Sequence, residues 1–312
     1  MAGKGGVGKT TVSAALARAA ALAGLSTLVI EVEGKSGLAT LFDQPPFDYE
    51  EVTLSPAGSP AGAADIRART LTPDDALLEY LVDHGMSRIS KRLVQSGALD
   101  MVSTAAPGIK DILILGKVKS LERQKGVELL VLDAPAAGHA ISFLRSPRGL
   151  LDAVSVGPIN TQARDVLEML TDPSRCQVVL VTLPEETPVN ELVETAYSLE
   201  DEVGLSLGPV VVNGLYPDVA GLERDPAAAA AEAGAALQPG EAAALREAAA
   251  FRRHRAHLQA EQVARLADLL PLPQIRLPYL FSADLGPEHV ELLAAEIRDG
   301  VESLLEIPGG VA

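Results

Sequence analysis

The chain has 312 residues, a formal net charge of −16 and a sequence pI near 4.7, and 47% of its residues are hydrophobic. That hydrophobic content is ample for one α/β domain with a helical insertion. The acidity argues against nonspecific binding of nucleic acid, which depends on lysine and arginine neutralising phosphates. No run approaches the ~20 apolar residues of a membrane span and no signal peptide precedes residue 3, so we expect a cytoplasmic protein with no direct membrane anchor.

The first motif is a complete phosphate-binding loop in residues 3–11. Its sequence is Gly-Lys-Gly-Gly-Val-Gly-Lys-Thr-Thr. In this pattern backbone N–H groups wrap a phosphate, Lys9 reaches the β- and γ-phosphates, and the Thr10 hydroxyl ligates Mg²⁺. Small and apolar residues predict a helix over 11–23, whose N-terminus favours negative charge. ATP and Mg²⁺ are therefore the predicted cofactors. The predicted nucleotide-binding residues of the loop are Gly3, Gly5, Gly6, Val7, Gly8, Lys9, Thr10 and Thr11.

Six short apolar runs predict the strands of a parallel sheet, at 27–32, 66–69, 127–132, 177–181, 210–213 and 274–277. With the intervening helices they predict a doubly wound α/β fold of the P-loop NTPase type, in which residues 1–312 form a single ATPase domain. Asp133 follows the third run, at the carboxyl end of a strand beside the loop. A carboxylate there can hold Mg²⁺ through water, so Thr10 and Asp133 are the predicted metal site.

Two longer segments are predicted to be helical. Residues 72–123 begin with Thr-Pro-Asp-Asp, a sequence typical of a helix N-terminus. They are predicted to form an insertion, whose apolar residues can simply pack against the core. Residues 219–268 are rich in alanine and predict two surface helices separated by a turn at Pro239 and Gly240. The last amphipathic helix carries acidic residues on its polar side, which favours docking on the protein's own sheet over binding to anionic lipid.

A single cysteine, Cys176, limits the metal chemistry. One thiol cannot form the paired cysteines that share an iron–sulfur cluster across a dimer, a Cys-x-x-Cys zinc site or a multi-thiolate arsenite site. We expect Cys176 to be a small buried hydrophobe.

The second lysine of the loop, Lys4, indicates which group of nucleotide-binding proteins the loop resembles. Residues 4–11, Lys-Gly-Gly-Val-Gly-Lys-Thr-Thr, resemble the deviant loop of the dimeric ATPases that include ArsA-type anion-pump ATPases, tail-anchored-protein targeting ATPases, division-site and chromosome-partition ATPases, and the nitrogenase iron protein. The resemblance implies that Lys4 reaches across a dimer interface to the partner's nucleotide, which would couple hydrolysis to association. The alternative is a solvated loop lysine.

Later motifs resemble the ArsA and Get-like branch. Residues 131–139, Val-Leu-Asp-Ala-Pro-Ala-Ala-Gly-His, match its switch II segment at Asp133, Gly138 and His139, although the middle of the motif differs. His139 is either a sensor or an ordinary loop histidine. The resemblance also implies that Asn213 contacts adenine and that Pro278 and Tyr279 belong to the loop covering it, although a proline that ends a strand needs no ligand.

The resemblance is greatest to the Get-like ATPases of actinobacteria, which are encoded as pairs of related subunits. It implies a homodimer, or a heterodimer with a related ATPase subunit. In this branch the helical insertion offers a groove to hydrophobic client segments, so residues 72–123 either bind such a segment or pack against the core. The sequence leaves the client and pathway open.

Glu33 stands where the family has an aspartate that positions or deprotonates the attacking water. A glutamate reaches about one methylene further, and a water misplaced by about 1 Å can cost ~100-fold in rate. Hydrolysis is therefore either supported by Glu33, slow, or dependent on a partner. Lys35, two residues later, can stabilise the phosphate or pair with Glu33, and the sequence does not choose between these roles.

These motifs predict an Mg²⁺-dependent ATPase that works as a nucleotide-gated dimer, with Lys4, Lys9, Glu33 and Asp133 as catalytic residues. The alternative is a non-hydrolysing or partner-dependent regulatory subunit of a paired ATPase complex, which uses ATP to hold its partner. A small-substrate kinase of the dethiobiotin type shares the loop, but the Gly-His of switch II disfavours it.

Only Met1 and Ala2 precede the loop, whereas phosphate-loop folds have a central strand that leads into it. Removing that strand would expose the edges of its two neighbours, and a domain with about 5–15 kcal/mol of net stability is not expected to survive this unchanged. We therefore expect a misplaced start or a truncated chain.

Overall fold

The computed structural model describes residues 1–32, 37–83, 85–86, 88, 108–135 and 137–305. Within these residues the central elements are strands, flanked by α-helices. The strands are β1 (Thr27–Val32), β2 (Val52–Ser55), β3 (Ile66–Leu71), β4 (Leu129–Asp133), β5 (Val178–Thr182), β6 (Leu207–Leu215) and β7 (Gln274–Pro278). The helices are α1 (Lys9–Leu22), α2 (Gly37–Leu41), α3 (Pro73–Asp83), α4 (Ile109–Glu122), α5 (Ala137–Ala153), α6 (Pro158–Thr171), α7 (Glu186–Ser198), α8 (Pro226–Glu232), α9 (Glu241–Leu269) and α10 (Pro287–Leu305).

The strands form two sheets that meet at the first two residues. One sheet has the order β2-β3-β1-β4, in which β1 is parallel to β3 and β4 while β2 is antiparallel to β3. The other has the order β5-β6-β7 and is parallel throughout. Ala2 forms a parallel bridge with Leu180 of β5, and the amino group of Met1 donates to the Leu132 carbonyl of β4 at 2.7 Å. The phosphate loop therefore starts at the junction of the two sheets.

All six predicted strands are present, and the α/β fold with a mainly parallel sheet is confirmed. Two features differ from the expectation. The pattern predicts one sheet, whereas the described strands form two that are joined through Ala2. The short strand β2 is not predicted, because it has four residues and only Leu54 among them is buried. The strand expected before Gly3 stays a prediction.

Helix α1 covers both sheets and holds the loop at its N-terminus. One face of the helix packs with β5, β6, β7 and α10, and the other packs with β1, β3 and β4. The first face consists of Val12, Ala15 and Ala19, and the second of Ala14, Ala17 and Ala21. Because most of these side chains are alanines, the helix backbone can lie close to both sheets.

Helices α3 and α4 lie within the segment predicted as a helical insertion. The Thr72 hydroxyl accepts a hydrogen bond from the Asp75 N–H at 3.2 Å and donates one to the Asp75 carboxylate at 2.6 Å, which caps α3. The two helices pack together, and Lys117 of α4 pairs with Glu79 of α3. Much of the segment between them lies outside the described residues, so the subdomain and its client groove stay predictions.

The alanine-rich segment contains α8 and the long helix α9. Asp225 caps α8 through the N–H groups of Ala227 and Ala228, and its carboxylate also pairs with Arg246 of α9 at 2.6 Å. Buried residues of α9 lie only in its second half, so its first half is a surface helix.

Helix α10 docks on the protein itself, as its amphipathic pattern predicts. Its buried residues pack against α1 and β7 and are Val290, Leu293, Ala294 and Ile297. Among the helices in the described part of the chain, none combines the length and apolar content needed to cross a bilayer.

Candidate nucleotide-binding site

The loop between Ala2 and α1 has a backbone that requires glycine at its end. Gly8 precedes the first residue of α1 and has a φ of +89°, in the left-handed region that side chains disfavour. A Cβ on Gly8 would lie 2.4 Å from Asn213 Nδ2. The Asn213 amide, at the carboxyl half of β6, donates to the Val7 carbonyl at 2.9 Å. Asn213 therefore supports the loop from the second sheet.

The start of the loop is fixed against β5. A Cβ on Gly3 would lie 2.2 Å from the Val181 carbonyl oxygen, so only glycine fits at this approach. The neighbouring Val181 N–H donates to the Ala2 carbonyl at 2.8 Å. The loop thus begins on β5 and ends on α1, with its backbone held at both ends.

A cavity of about 300 Å³ lies at the N-terminus of α1. Its lining residues are Gly5, Gly6, Gly8, Lys9, Thr10, Glu31, Val32, Asp133 and Ala134. Six of the residues predicted from the sequence are therefore brought together here. Gly3 and Val7 instead pack against the second sheet, and Thr11 lies one residue further into α1. A helix N-terminus combined with a glycine loop favours a bound phosphate.

The Lys9 side chain folds back over the loop. Its Nζ donates to the carbonyl oxygens of Gly3 and Lys4, each at 3.0 Å. This position places the ammonium group beside the cavity that Lys9 lines. A phosphate in the cavity would compete with these carbonyls for the ammonium group, because hydrogen bonds between two charged groups are stronger.

Thr10 and Asp133 form the oxygen-rich side of the cavity. The Thr10 hydroxyl donates to Asp133 Oδ2 at 2.6 Å, and the Ser13 hydroxyl lies 3.3 Å from Asp133 Oδ1. Hydroxyl and carboxylate oxygens are the hard donors that Mg²⁺ takes, usually with several waters retained. The donor set at this end of β4 therefore fits an Mg²⁺ ion, which Thr10 and Asp133 would hold.

Glu31 is a further acid of the cavity that the sequence pattern does not single out. It lies on β1 opposite Asp133 in the parallel register and is 3% exposed. Burial raises the pKa of Glu31, the Leu38 N–H at 3.3 Å lowers it, and the Asp133 carboxylate raises it. The available signal was an acid in an otherwise apolar strand, but only the register brings it beside Asp133.

Replacing Glu31 with glutamine is expected to stabilise the nucleotide-free protein at neutral pH. Because the folded pKa is raised, the stability that Glu31 contributes is fully present below the ordinary glutamate pKa and is lost as pH rises through the folded pKa. Glutamine removes this loss and keeps an oxygen for the Leu38 N–H. Melting temperatures measured from about pH 5 to about pH 8 should show a gain for Glu31→Gln that grows with pH.

The control for that series is Glu247→Gln, at an exposed position of α9. Its melting temperature should follow that of the unchanged chain at every pH. A gain for Glu31→Gln that is constant or shrinks as pH rises would contradict a destabilising buried charge at Glu31.

The remaining predicted residues lie at different places. Lys4 pairs with Glu191 of α7, at 2.6 Å between Nζ and Oε1, and Glu191 was not anticipated. Pro278 is the last residue of β7 and pairs with Leu215 of β6, so it lies inside the strand rather than after it. His139 is exposed in the first turn of α5. Glu33 and Lys35 lie outside the described residues.

Aromatic side chains gather beside Pro278 at the ends of β6 and β7. The ring centroids of Tyr216, Tyr279 and Phe281 are 4.8–5.4 Å apart. The Arg252 guanidinium of α9 lies 5.0 Å from the Phe281 centroid. Sequence reasoning identified Pro278 and Tyr279 in this group through their resemblance to an adenine-covering loop, but not Tyr216, Phe281 or Arg252.

Comparison with known proteins identifies relatives over nearly all of the chain. The family model described as anion-transporting ATPase matches residues 1–156, which contain the loop, Glu31 and Asp133. The chain is 32% identical to ATPase BagA of Mycobacterium tuberculosis over 321 residues, covering 96% of this chain and 92% of that protein.

Two further relatives match over shorter regions. The arsenical pump-driving ATPase of Escherichia coli is 28% identical over 240 residues, covering 69% of this chain and 39% of that protein. ATPase get3 of Botryotinia fuckeliana is 26% identical over 217 residues, covering 69% of this chain and 58% of that protein.

Proposed function

The chain belongs to the anion-transporting ATPase family, and from this premise we propose that it binds ATP with Mg²⁺ at the loop and hydrolyses the nucleotide as a nucleotide-gated dimer. The observation that carries the proposal is the contact between the Thr10 hydroxyl and Asp133 at 2.6 Å, in a cavity that Lys9 also lines. This contact brings the loop, which would bind phosphate, next to the carboxylate at the end of β4, which would bind the magnesium ion. A magnesium–nucleotide site needs both groups close together.

The chain's own residues supply binding and charge. The N–H groups at the start of α1 and in the glycine loop bind the phosphates, and Lys9 exchanges the carbonyls of Gly3 and Lys4 for phosphate oxygens. Thr10 and Asp133 would hold Mg²⁺, which would neutralise charge on the phosphates. Glu33 positions the attacking water.

The nucleobase end of the site lies at the ends of β6 and β7. Asn213 reaches the loop from β6, and Pro278 ends β7 beside the aromatic rings. A nucleobase has apolar faces and polar edges, so an aromatic group beside an amide offers both kinds of contact. We assign this end of the site to adenine.

In the dimer, Lys4 of each chain contacts the nucleotide of the other. The family resemblance of the loop and the exposed side of the Lys4 side chain support this role. A positive charge supplied in trans stabilises the charge that develops on the transferring phosphoryl group. The partner is a second copy or a related subunit, and a hydrophobic client segment is the proposed cargo of residues 72–123. We assign the complex to the cytoplasm.

The test is steady-state ATP turnover per chain across a range of protein concentrations. Turnover per chain is expected to rise with concentration, and Lys4→Ala is expected to lower it by about 1,000-fold at every concentration. Glu33→Gln should also abolish turnover while ATP still binds. Lys125→Ala, which removes an exposed lysine before β4, is the matched control and should behave as the unchanged chain.

A second function is favoured by Glu33 itself, which stands at the water-positioning site of the family in place of aspartate. The chain would then bind ATP without appreciable hydrolysis and use it to hold a partner subunit. Turnover at background, together with ATP binding and an unaffected Lys4→Ala variant, would replace the first function with this one. The same measurements made with a related subunit added would then identify a partner-dependent enzyme.

A further inference from the structure

Lys4 is tethered inside its own chain at two points. Its side-chain Nζ lies 2.6 Å from Glu191 Oε1 on α7. Its backbone carbonyl accepts a hydrogen bond from Lys9 Nζ at 3.0 Å. One residue is therefore connected both to the lysine of the phosphate site and to a helix that follows β5.

Glu191 lies on a helix that is packed against the sheet. Helix α7 is anchored by the buried side chains of Val189 and Leu192 on either side of Glu191, and it packs on β5. The loop that carries Lys4 begins against the same strand, through the contact of Gly3 with Val181. The distance between the backbones of Lys4 and Glu191 is thus set by β5, and the pair forms without a mobile element.

The ion pair is weak enough to be exchanged. The side chains of Lys4 and Glu191 are 36% and 41% exposed, and ion pairs with this much solvent contribute about 0–1 kcal/mol. Binding of a partner that offers Lys4 a phosphate group would therefore outcompete Glu191, because a triphosphate carries more charge than one carboxylate. Glu191 can therefore delay the movement of Lys4 to the partner's nucleotide without preventing it.

Nucleotide binding loosens the second tether. When Lys9 turns to a phosphate, it no longer donates to the carbonyls of Gly3 and Lys4, so this segment loses two hydrogen bonds. Of the two contacts of Lys4 named above, both among the residues that the structure describes, the pair with Glu191 then remains. Nucleotide binding thus also weakens the contacts that keep Lys4 within its own chain.

We propose that Glu191 is a positioning residue that holds Lys4 in cis in the nucleotide-free chain and sets the protein concentration at which two copies of the chain associate. The inference rests on the proposed function, in which Lys4 acts on the nucleotide of the other chain. Each dimer that forms must release two Lys4–Glu191 pairs. Removing the carboxylate charge favours the dimer and leaves the chemistry of the assembled site unchanged.

The experiment compares Glu191→Gln with Glu194→Gln, which removes an exposed acid from the same helix one turn later. Self-association is followed by sedimentation velocity with Mg²⁺ and a non-hydrolysable ATP analogue, and turnover per chain is measured over the same concentrations with ATP. Glu191→Gln is expected to lower the association midpoint by about three- to tenfold and to keep the plateau turnover. Glu194→Gln should match the unchanged chain.

Several results would overturn the inference. An unchanged midpoint for Glu191→Gln, or a midpoint lowered equally by Glu194→Gln, would show that Glu191 does not hold Lys4 back. A loss of plateau turnover in Glu191→Gln would mean that the pair serves the active state. The double variant Lys4→Ala, Glu191→Gln must associate like Lys4→Ala alone, because an additional effect of Glu191 would not act through Lys4.

The proposed function is tested separately by Lys4→Ala. If that variant keeps full turnover and association, the role of Lys4 in trans is wrong and the role of Glu191 falls with it. The same holds if the unchanged chain stays monomeric with nucleotide at every concentration. If Lys4→Ala loses turnover while Glu191→Gln matches the unchanged chain, the proposed function stands and only the inference about Glu191 is overturned.

Discussion

Replacing Asp133 with asparagine is expected to lower Mg²⁺-dependent ATP turnover by about 100-fold and to raise the Mg²⁺ concentration needed for half-maximal turnover. Asp133 accepts the Thr10 hydroxyl at 2.6 Å and lines the cavity at the N-terminus of α1. Asparagine keeps the size of the side chain and one oxygen but removes the negative charge that attracts a divalent cation. Turnover measured against Mg²⁺ concentration at fixed ATP checks the prediction.

Ser13→Ala is the matched control for Asp133. The Ser13 hydroxyl contacts the other oxygen of the same carboxylate, at the longer distance of 3.3 Å. Loss of such a hydrogen bond is expected to change turnover by less than about tenfold, with the Mg²⁺ dependence preserved. If Asp133→Asn retained the Mg²⁺ dependence of the unchanged chain, Asp133 would not be part of the metal site.

Gly3→Ala is expected to lower the free energy of unfolding by about 3 kcal/mol and to weaken nucleotide binding. The new Cβ would lie 2.2 Å from the Val181 carbonyl oxygen, which belongs to the backbone of β5 and cannot rotate away. Moving the loop would break the hydrogen bond at 2.8 Å from the Val181 N–H to the Ala2 carbonyl. Denaturant unfolding and titration with a fluorescent nucleotide measure the two effects.

Gly6→Ala is the control that separates the cost of a steric contact from the cost of a positive φ. A Cβ on Gly6 would meet no described atom within 4 Å, but its φ of +86° lies in the left-handed region. The expected cost is therefore only the conformational one, about 1–2 kcal/mol. Equal losses of stability in Gly3→Ala and Gly6→Ala would contradict the role assigned to the contact with Val181.

The elements that could be predicted from the sequence are those specified by local patterns. Apolar runs predicted β1 and β4, and the glycine spacing with the helix after it predicted the loop and its cavity. Asp133 could be placed beside Thr10 because the carboxyl ends of parallel strands meet at one edge of a sheet. These inferences need only periodicity, spacing and the general geometry of α/β folds.

The features that could not be predicted depend on register and on distant contacts. Glu31 meets Asp133 only because β1 and β4 pair in one particular register, which no local pattern states. Lys4 and Glu191 are 187 positions apart in the chain, and half-exposed ion pairs leave no signal in either segment. The close contact that excludes a side chain at Gly8 likewise involves Asn213, which is far away in the sequence.

The alanine faces of α1 have a consequence for how the protein can be altered. Ala15 and Ala19 contact the three-stranded sheet, whereas Ala14 and Ala17 contact the four-stranded sheet. A larger side chain at one of these alanines would crowd one sheet first, whereas Leu16, which packs against both groups of residues, would affect both sheets. Substitutions in α1 can thus be directed at one sheet or at both, in a helix whose first residue is also the lysine of the phosphate loop.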